Sequence, residues 1–99
     1  MSVSMVTFRK SGKRKAVMAA TKELKVVMEK HGAKAVTLGK VTAGSDSGQR
    51  VIRIHCADWK VFGKKAQGAM NDPKGRDAVA GLDAITEMVS RHVIAGVDL

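Results

Sequence analysis

His55 stands one residue before Cys56 and four before Trp59, with Arg53 two positions earlier. Imidazole titrates near neutral pH, a guanidinium holds anions, and an indole offers an apolar wall. Arg53, His55 and Trp59 are therefore the residue types of a small-molecule site, and His92 adds a further candidate near the end of the chain. A structural reading competes: Trp59 in the core, Arg53 reaching to an edge, His55 half-buried. Cys56 is a nucleophile only where a cation or a helix N-terminus stabilises its thiolate. Its alternation with Ile52 and Ile54 assigns it instead to a buried apolar row. His31 ends a helical segment, where the helix dipole favours a cation. The three histidines lie on separate elements with no Cys or Glu at ligand spacing, so no metal is expected.

Other chemistries are excluded by position. Around Gly39-Lys40, Lys34 occupies the place of the first phosphate-loop glycine and Val41 that of the required Ser or Thr. No dinucleotide fingerprint occurs, and no cofactor is expected. Lys and Arg number 18 against 9 Asp and Glu, a formal charge of +9. Arg9-Lys10 and Lys13-Arg14-Lys15 form a basic corner able to attract phosphates in a salt-sensitive way. Base stacking needs exposed aromatics, and the chain offers only Phe8, Trp59 and Phe62. A solvated helix face explains the charge better, with a nucleic-acid-binding module as the alternative. Membrane-surface binding would take the apolar helix stripe away from the core.

The elements that must position these residues follow from periodicity. Val3 to Phe8 is a strand with apolar residues in both registers, suited to the middle of a sheet covered on both sides. From Lys13 to His31, Val17, Ala20, Leu24, Val27 and Met28 recur on one helical stripe, and Gly32 follows as a C-cap. Ala35–Val41 and Gln49–Cys56 are strands joined through the turn formers of 43–48. Asp58 caps a helix whose stripe holds Trp59, Phe62, Gly63, Ala66, Ala69 and Met70. There Gly63 would let the backbone approach the sheet closely, while Gly68 has no evident role. Asn71-Asp72-Pro73 opens a short helix ending near Gly81, and Glu87 to Asp98 is a last strand.

The order strand, helix, strand, strand, helix, short helix, strand is the split βαβ of an α+β ferredoxin-like fold. It implies a four-stranded antiparallel sheet with helices on one face, built from a single domain over residues 1–99. The first and last strands are apolar on both faces, so a second copy of the chain is expected to cover the bare side. One cysteine rules out an internal disulfide, and no apolar run approaches a membrane span. The start lacks a signal-peptide pattern, which points to a cytoplasmic protein.

Phe8-Arg9-Lys10, Cys56-Ala57-Asp58-Trp59, Asn71-Asp72-Pro73 and Val89-Ser90-Arg91-His92-Val93 resemble the dimeric α+β barrel superfamily, most closely its small NIPSNAP-like and antibiotic-biosynthesis-monooxygenase-like members. The resemblance spans nearly the whole chain, in architecture and scattered positions rather than in a catalytic signature. It implies a homodimer whose two sheets close into a barrel with the helices outside. Superfamily members include cofactor-free oxygenases, haem-degrading enzymes and small-molecule isomerases. The expectation is a small-molecule-binding homodimer, of oxygenase or isomerase type if it is an enzyme, with a pocket between sheet and helices near Arg53, His55 and Trp59. A structural or accessory dimer without a ligand is the other alternative.

Overall fold

The computed structural model describes residues 2–44 and 47–96. Its elements run β1 (Val3–Lys10), α1 (Arg14–Lys30), β2 (Ala35–Lys40), β3 (Arg50–Cys56), α2 (Trp59–Asn71), α3 (Pro73–Ile85) and β4 (Glu87–Ala95). The strands pair antiparallel in the order β2-β3-β1-β4. This is the ferredoxin-like α+β arrangement that the element order implies. Because β1 has a neighbour on each side, Val3, Ser4, Val6 and Thr7 are all buried whichever face they occupy.

Local chemistry sets the helix ends. Gly32 adopts φ +108°, open to glycine at little cost, and this lets Ala33 N–H reach the Met28 carbonyl and Gly32 N–H the Glu29 carbonyl. The Asp58 carboxylate accepts from Val61 N–H at 2.8 Å, and Asp72 accepts from Lys74 N–H at 3.0 Å with Pro73 opening α3. The third helix is longer than its glycine content suggests. Gly81 faces open space and breaks nothing, and the buried stripe of Gly75 and Ala78 continues past it to Leu82. Full burial of Leu82 alone contributes on the order of 2 kcal/mol.

The core joins Leu24, Val27 and Met28 of α1 to Ala69, Ala78 and Leu82 of the other helices and to Val36, Ile52, Ile54 and Cys56 of the sheet. Two glycine expectations change. A Cβ on Gly63 would meet nothing within 4 Å, so no close approach to the sheet requires it. The close approach is at Gly75, where a Cβ would collide with the Ala69 backbone carbonyl, and at Gly68, where it would lie 2.5 Å from His31 Nδ1. Trp59 and Met70, expected on the buried stripe, are 54% and 61% exposed, because α2 turns Phe62, Lys65 and Ala69 inward instead. The expected hairpin tip at Ser45 and Asp46 and the strand end at Val97 and Asp98 lie outside the described residues. Among the described residues, no helix is long and apolar enough to cross a membrane.

Candidate functional site

Strand register assigns each residue to a face. Val3, Met5 and Thr7 of β1 lie beside Cys56, Ile54 and Ile52 of β3, and Val36 and Leu38 of β2 continue those rows. That side packs against the helices. Ser4, Val6 and Phe8, with His55, Arg53 and Val51 beside them, point the other way.

The structure therefore separates the residues that proximity in the chain groups together. Arg53 and His55 occupy the helix-free face, because the Ile52–Ile54–Cys56 row fills the helix side. A pocket between sheet and helices cannot be built around them. His92, paired with Val6, joins them on the helix-free face, while Trp59 begins α2 beyond the strand end. Ser4 Oγ and His55 Nδ1 are hydrogen-bonded at 2.6 Å. The Phe8 and His92 rings meet edge to face, with centroids 6.1 Å apart. Trp59 meets Phe62 in the same way at 6.0 Å.

The space between sheet and helices lies toward β4. A cavity of about 220 Å³ has Met5, Met28, Phe62, Lys65, Val79 and Arg91 in its wall. A narrower one of about 40 Å³ shares Met5, Met28, Val79 and Arg91 and reaches Thr7, Arg9 and Ile54. Helical steps of three and four bring Phe62, Lys65 and Ala69 to one side of α2. None of Arg53, His55, Trp59 or His92 lines either space. Other depressions flank α1, but their charged side chains (Lys22 and Lys25 in one, Glu23, Lys74 and Asp77 in another) are solvated.

Lys65 is the unusual group. It is 2% exposed, and its Nζ sits 4.5 Å from the centre of the Phe62 ring. The ion pairs among the described residues join Arg9 to Asp83, Lys25 to Glu29, and Lys30 and His31 to Asp72, leaving out both Lys65 and Arg91. Burial pushes the Lys65 amine below the ordinary lysine range; Cys56 opposes the shift and the Arg91 charge adds to it. Arg91 extends from β4, its Nε donating to Thr7 Oγ1 at 3.3 Å. Burial pushes the Cys56 thiol up, more than the Lys65 charge pulls it down, so at neutral pH it is a thiol and no activated nucleophile.

The remaining basic and imidazole groups have structural partners. Arg9, 4% exposed, donates through Nη1 to Asp83 Oδ1 at 2.7 Å and Thr86 Oγ1 at 3.0 Å. The basic corner therefore loses Arg9 and keeps Lys10, Lys13, Arg14 and Lys15 at the surface. His31 does more than meet a helix dipole: its Nε2 lies 2.9 Å from Asp72 Oδ2, tying the end of α1 to the start of α3 over Gly68. That bond, helped by Lys74 N–H and the Lys30 charge, holds the Asp72 carboxyl below the usual carboxylate range. Among the described residues, no His, Cys, Asp and Glu side chains gather as a metal-binding group.

No protein-family model matches the chain, and no curated protein matches it. Solved structures do. SnoaB, a cofactor-independent oxygenase from Streptomyces nogalater, aligns with TM-score 0.76 at 12% identity, over 99% of this chain and 95% of that one. A candidate antibiotic biosynthesis monooxygenase from Chloroflexus aurantiacus aligns with TM-score 0.71 at 15% identity, over 99% and 95%. A NIPSNAP domain protein from Burkholderia xenovorans aligns with TM-score 0.75 at 13% identity, over 98% and 95%. At such identities the likeness establishes the fold.

Proposed function

We propose that this chain, which shares the fold of the dimeric α+β barrel superfamily, is a homodimeric small-molecule-binding protein whose ligand occupies the cavity between β1, β4 and α2. The observation that carries this reading is the cavity itself: an apolar space of about 220 Å³ with a buried amine in its wall. Ligand sites are largely apolar concavities with a few polar groups that fix orientation. Support for the homodimer comes from β4, an edge strand whose Met88, Val89, Val93 and Ile94 are each more than two-fifths exposed. Val93 and Ile94 face opposite sides, so an uncovered β4 would wet apolar side chains on both.

In this reading Arg53, His55 and His92 lie inside the barrel, facing the sheet of the second copy, and Trp59 backs the cavity wall through Phe62. An oxygenase- or isomerase-type reaction is the enzymatic form of the same proposal. The description of SnoaB as cofactor-independent supports a search for chemistry that the side chains perform unaided. Burial of Arg9 against Asp83 weakens the nucleic-acid alternative, because it shrinks the basic corner.

Native mass spectrometry of the purified protein tests both parts. The expected result is a dimer that retains an organic compound, which Ala66→Leu displaces by filling the cavity. A stable folded monomer at micromolar concentration would overturn the homodimer. A cavity that retains nothing, and takes up none of a set of single-ring compounds, would overturn the ligand site.

A further inference from the structure

Two cations face the cavity and nothing in the wall neutralises them. Lys65 is 2% exposed, Arg91 lines the same cavity from β4 at its solvent-exposed side, and the ion pairs of the described residues engage neither. The polar neighbour of Arg91 is a neutral hydroxyl, Thr7 Oγ1, and that of Lys65 is the face of a phenyl ring. The two side chains are close enough for the Arg91 charge to disfavour protonation of Lys65. The Arg91 charge adds to the cost that burial already places on Lys65, while solvent screens Arg91 itself. An anion between the two nitrogen groups, accepting a charge-assisted hydrogen bond from each, would offset the buried Lys65 charge and use Arg91 as a second anchor at the rim.

The rest of the wall describes the other end of the ligand. Met5, Met28, Phe62 and Val79 are apolar, and methionines adapt to irregular shapes. An apolar cavity of about 150 Å³ accommodates benzene. At about 220 Å³, this one holds a single ring with a short substituent, or an aliphatic chain of the same bulk. We propose that the cavity binds a monocarboxylic acid of that size, its carboxylate bridging Lys65 and Arg91 and its apolar body lying among Met5, Met28 and Phe62.

This rests on the small-molecule reading above and adds the sign of the ligand's charge. Binding of phenylacetate, hexanoate and the neutral isostere phenylacetamide to the full chain is followed through Trp59 fluorescence and by ligand-observed NMR. The expected result is that at least one acid binds about tenfold or more tightly than the amide, since the amide forgoes two charge-assisted bonds. The tighter of the two acids shows whether the apolar body is a ring or a chain. Lys65→Met and Arg91→Gln should each weaken the acid by about tenfold and leave the amide within about twofold. Lys65→Gln, which keeps a polar end, serves if Lys65→Met fails to fold by circular dichroism. Equal affinity for acid and amide, or unchanged acid binding in the variants, overturns the carboxylate while leaving the ligand site standing. Equal competition by inorganic phosphate overturns the apolar body. If none of the probes binds, both the acid and the small-molecule reading fall.

Discussion

Lys65→Met should stabilise this protein at neutral pH. Lys65 is 2% exposed, without an ion pair among the described residues, and close enough to feel the Arg91 charge. Replacing buried ion pairs with apolar side chains of similar volume is neutral to stabilising by about 1–4 kcal/mol, and the same desolvation relief applies to an unpaired buried lysine. Loss of the contact with Phe62 takes back about 0.5–2 kcal/mol. The midpoints leave a net gain of about 1 kcal/mol, and each kcal/mol raises the melting temperature of a domain this size by about 4–8 °C. The gain should depend on pH. The folded-state pKa of Lys65 is lowered, so the unfolded chain holds the proton more tightly. The wild type therefore carries its full penalty while Lys65 is protonated in the fold. It gains stability as pH climbs through the lowered value, and is free of the penalty above the ordinary lysine value of about 10.4. Urea melts at fixed protein concentration from neutral pH upward, with Lys64→Met as an exposed control for charge alone, measure this directly. A Lys65→Met gain no larger than that of Lys64→Met, or one that fails to shrink at high pH, would refute the reasoning.

The glycines make an internally controlled set. Gly63→Ala and Gly81→Ala face open space and should each stabilise by about 0.5–1 kcal/mol, whereas Gly75→Ala, driven into the Ala69 carbonyl, should destabilise strongly, all read from urea midpoints. Asp72→Asn keeps a good N-cap but loses the anion beside His31 and Lys30. Because the Asp72 carboxyl is held below its unfolded value, wild type should exceed the variant at neutral pH. The difference should vanish as acid titration passes through the lowered pKa. Iodoacetamide at mildly alkaline pH should label Cys56 only after denaturant is added, since the thiol is buried and its pKa raised.

Much of the architecture was legible in the residues. Alternation in β1 and β3, the α1 stripe ending at Gly32, and the Asp58 and Asp72–Pro73 openings are signals within a few residues of where they act. The pattern of β1, apolar in both registers, marked a strand in the middle of the sheet, with β3 and β4 as its neighbours. What adjacency could not show was face. His55 and Cys56 are neighbours in the chain, yet the two-residue period of a strand sends them to opposite sides of the sheet. Arg53 and His55 thus share the helix-free face, while Trp59 opens α2 beyond the strand end. Gly68 likewise had no local explanation, because the ring that forbids a side chain there comes from the end of another helix.

Lys65 was hidden for a different reason. It stands three residues after Phe62 and four before Ala69, the spacing of the buried stripe, but its charge assigns it to solvent in any pattern of polar and apolar residues. Exposed Trp59 and Met70 are the counterpart of that error: rotating α2 to bury Lys65 and Ala69 leaves both at the surface. A lysine that breaks the pattern and is nonetheless turned inward is held there against its own solvation. In a chain with 18 Lys and Arg to 9 Asp and Glu, nothing obliges one of them to enter the core. Burying an unpaired amine carries an electrostatic cost that a solvated position does not. Retaining the amine inside, facing a space that Arg91 also faces, is what a ligand of opposite charge would require.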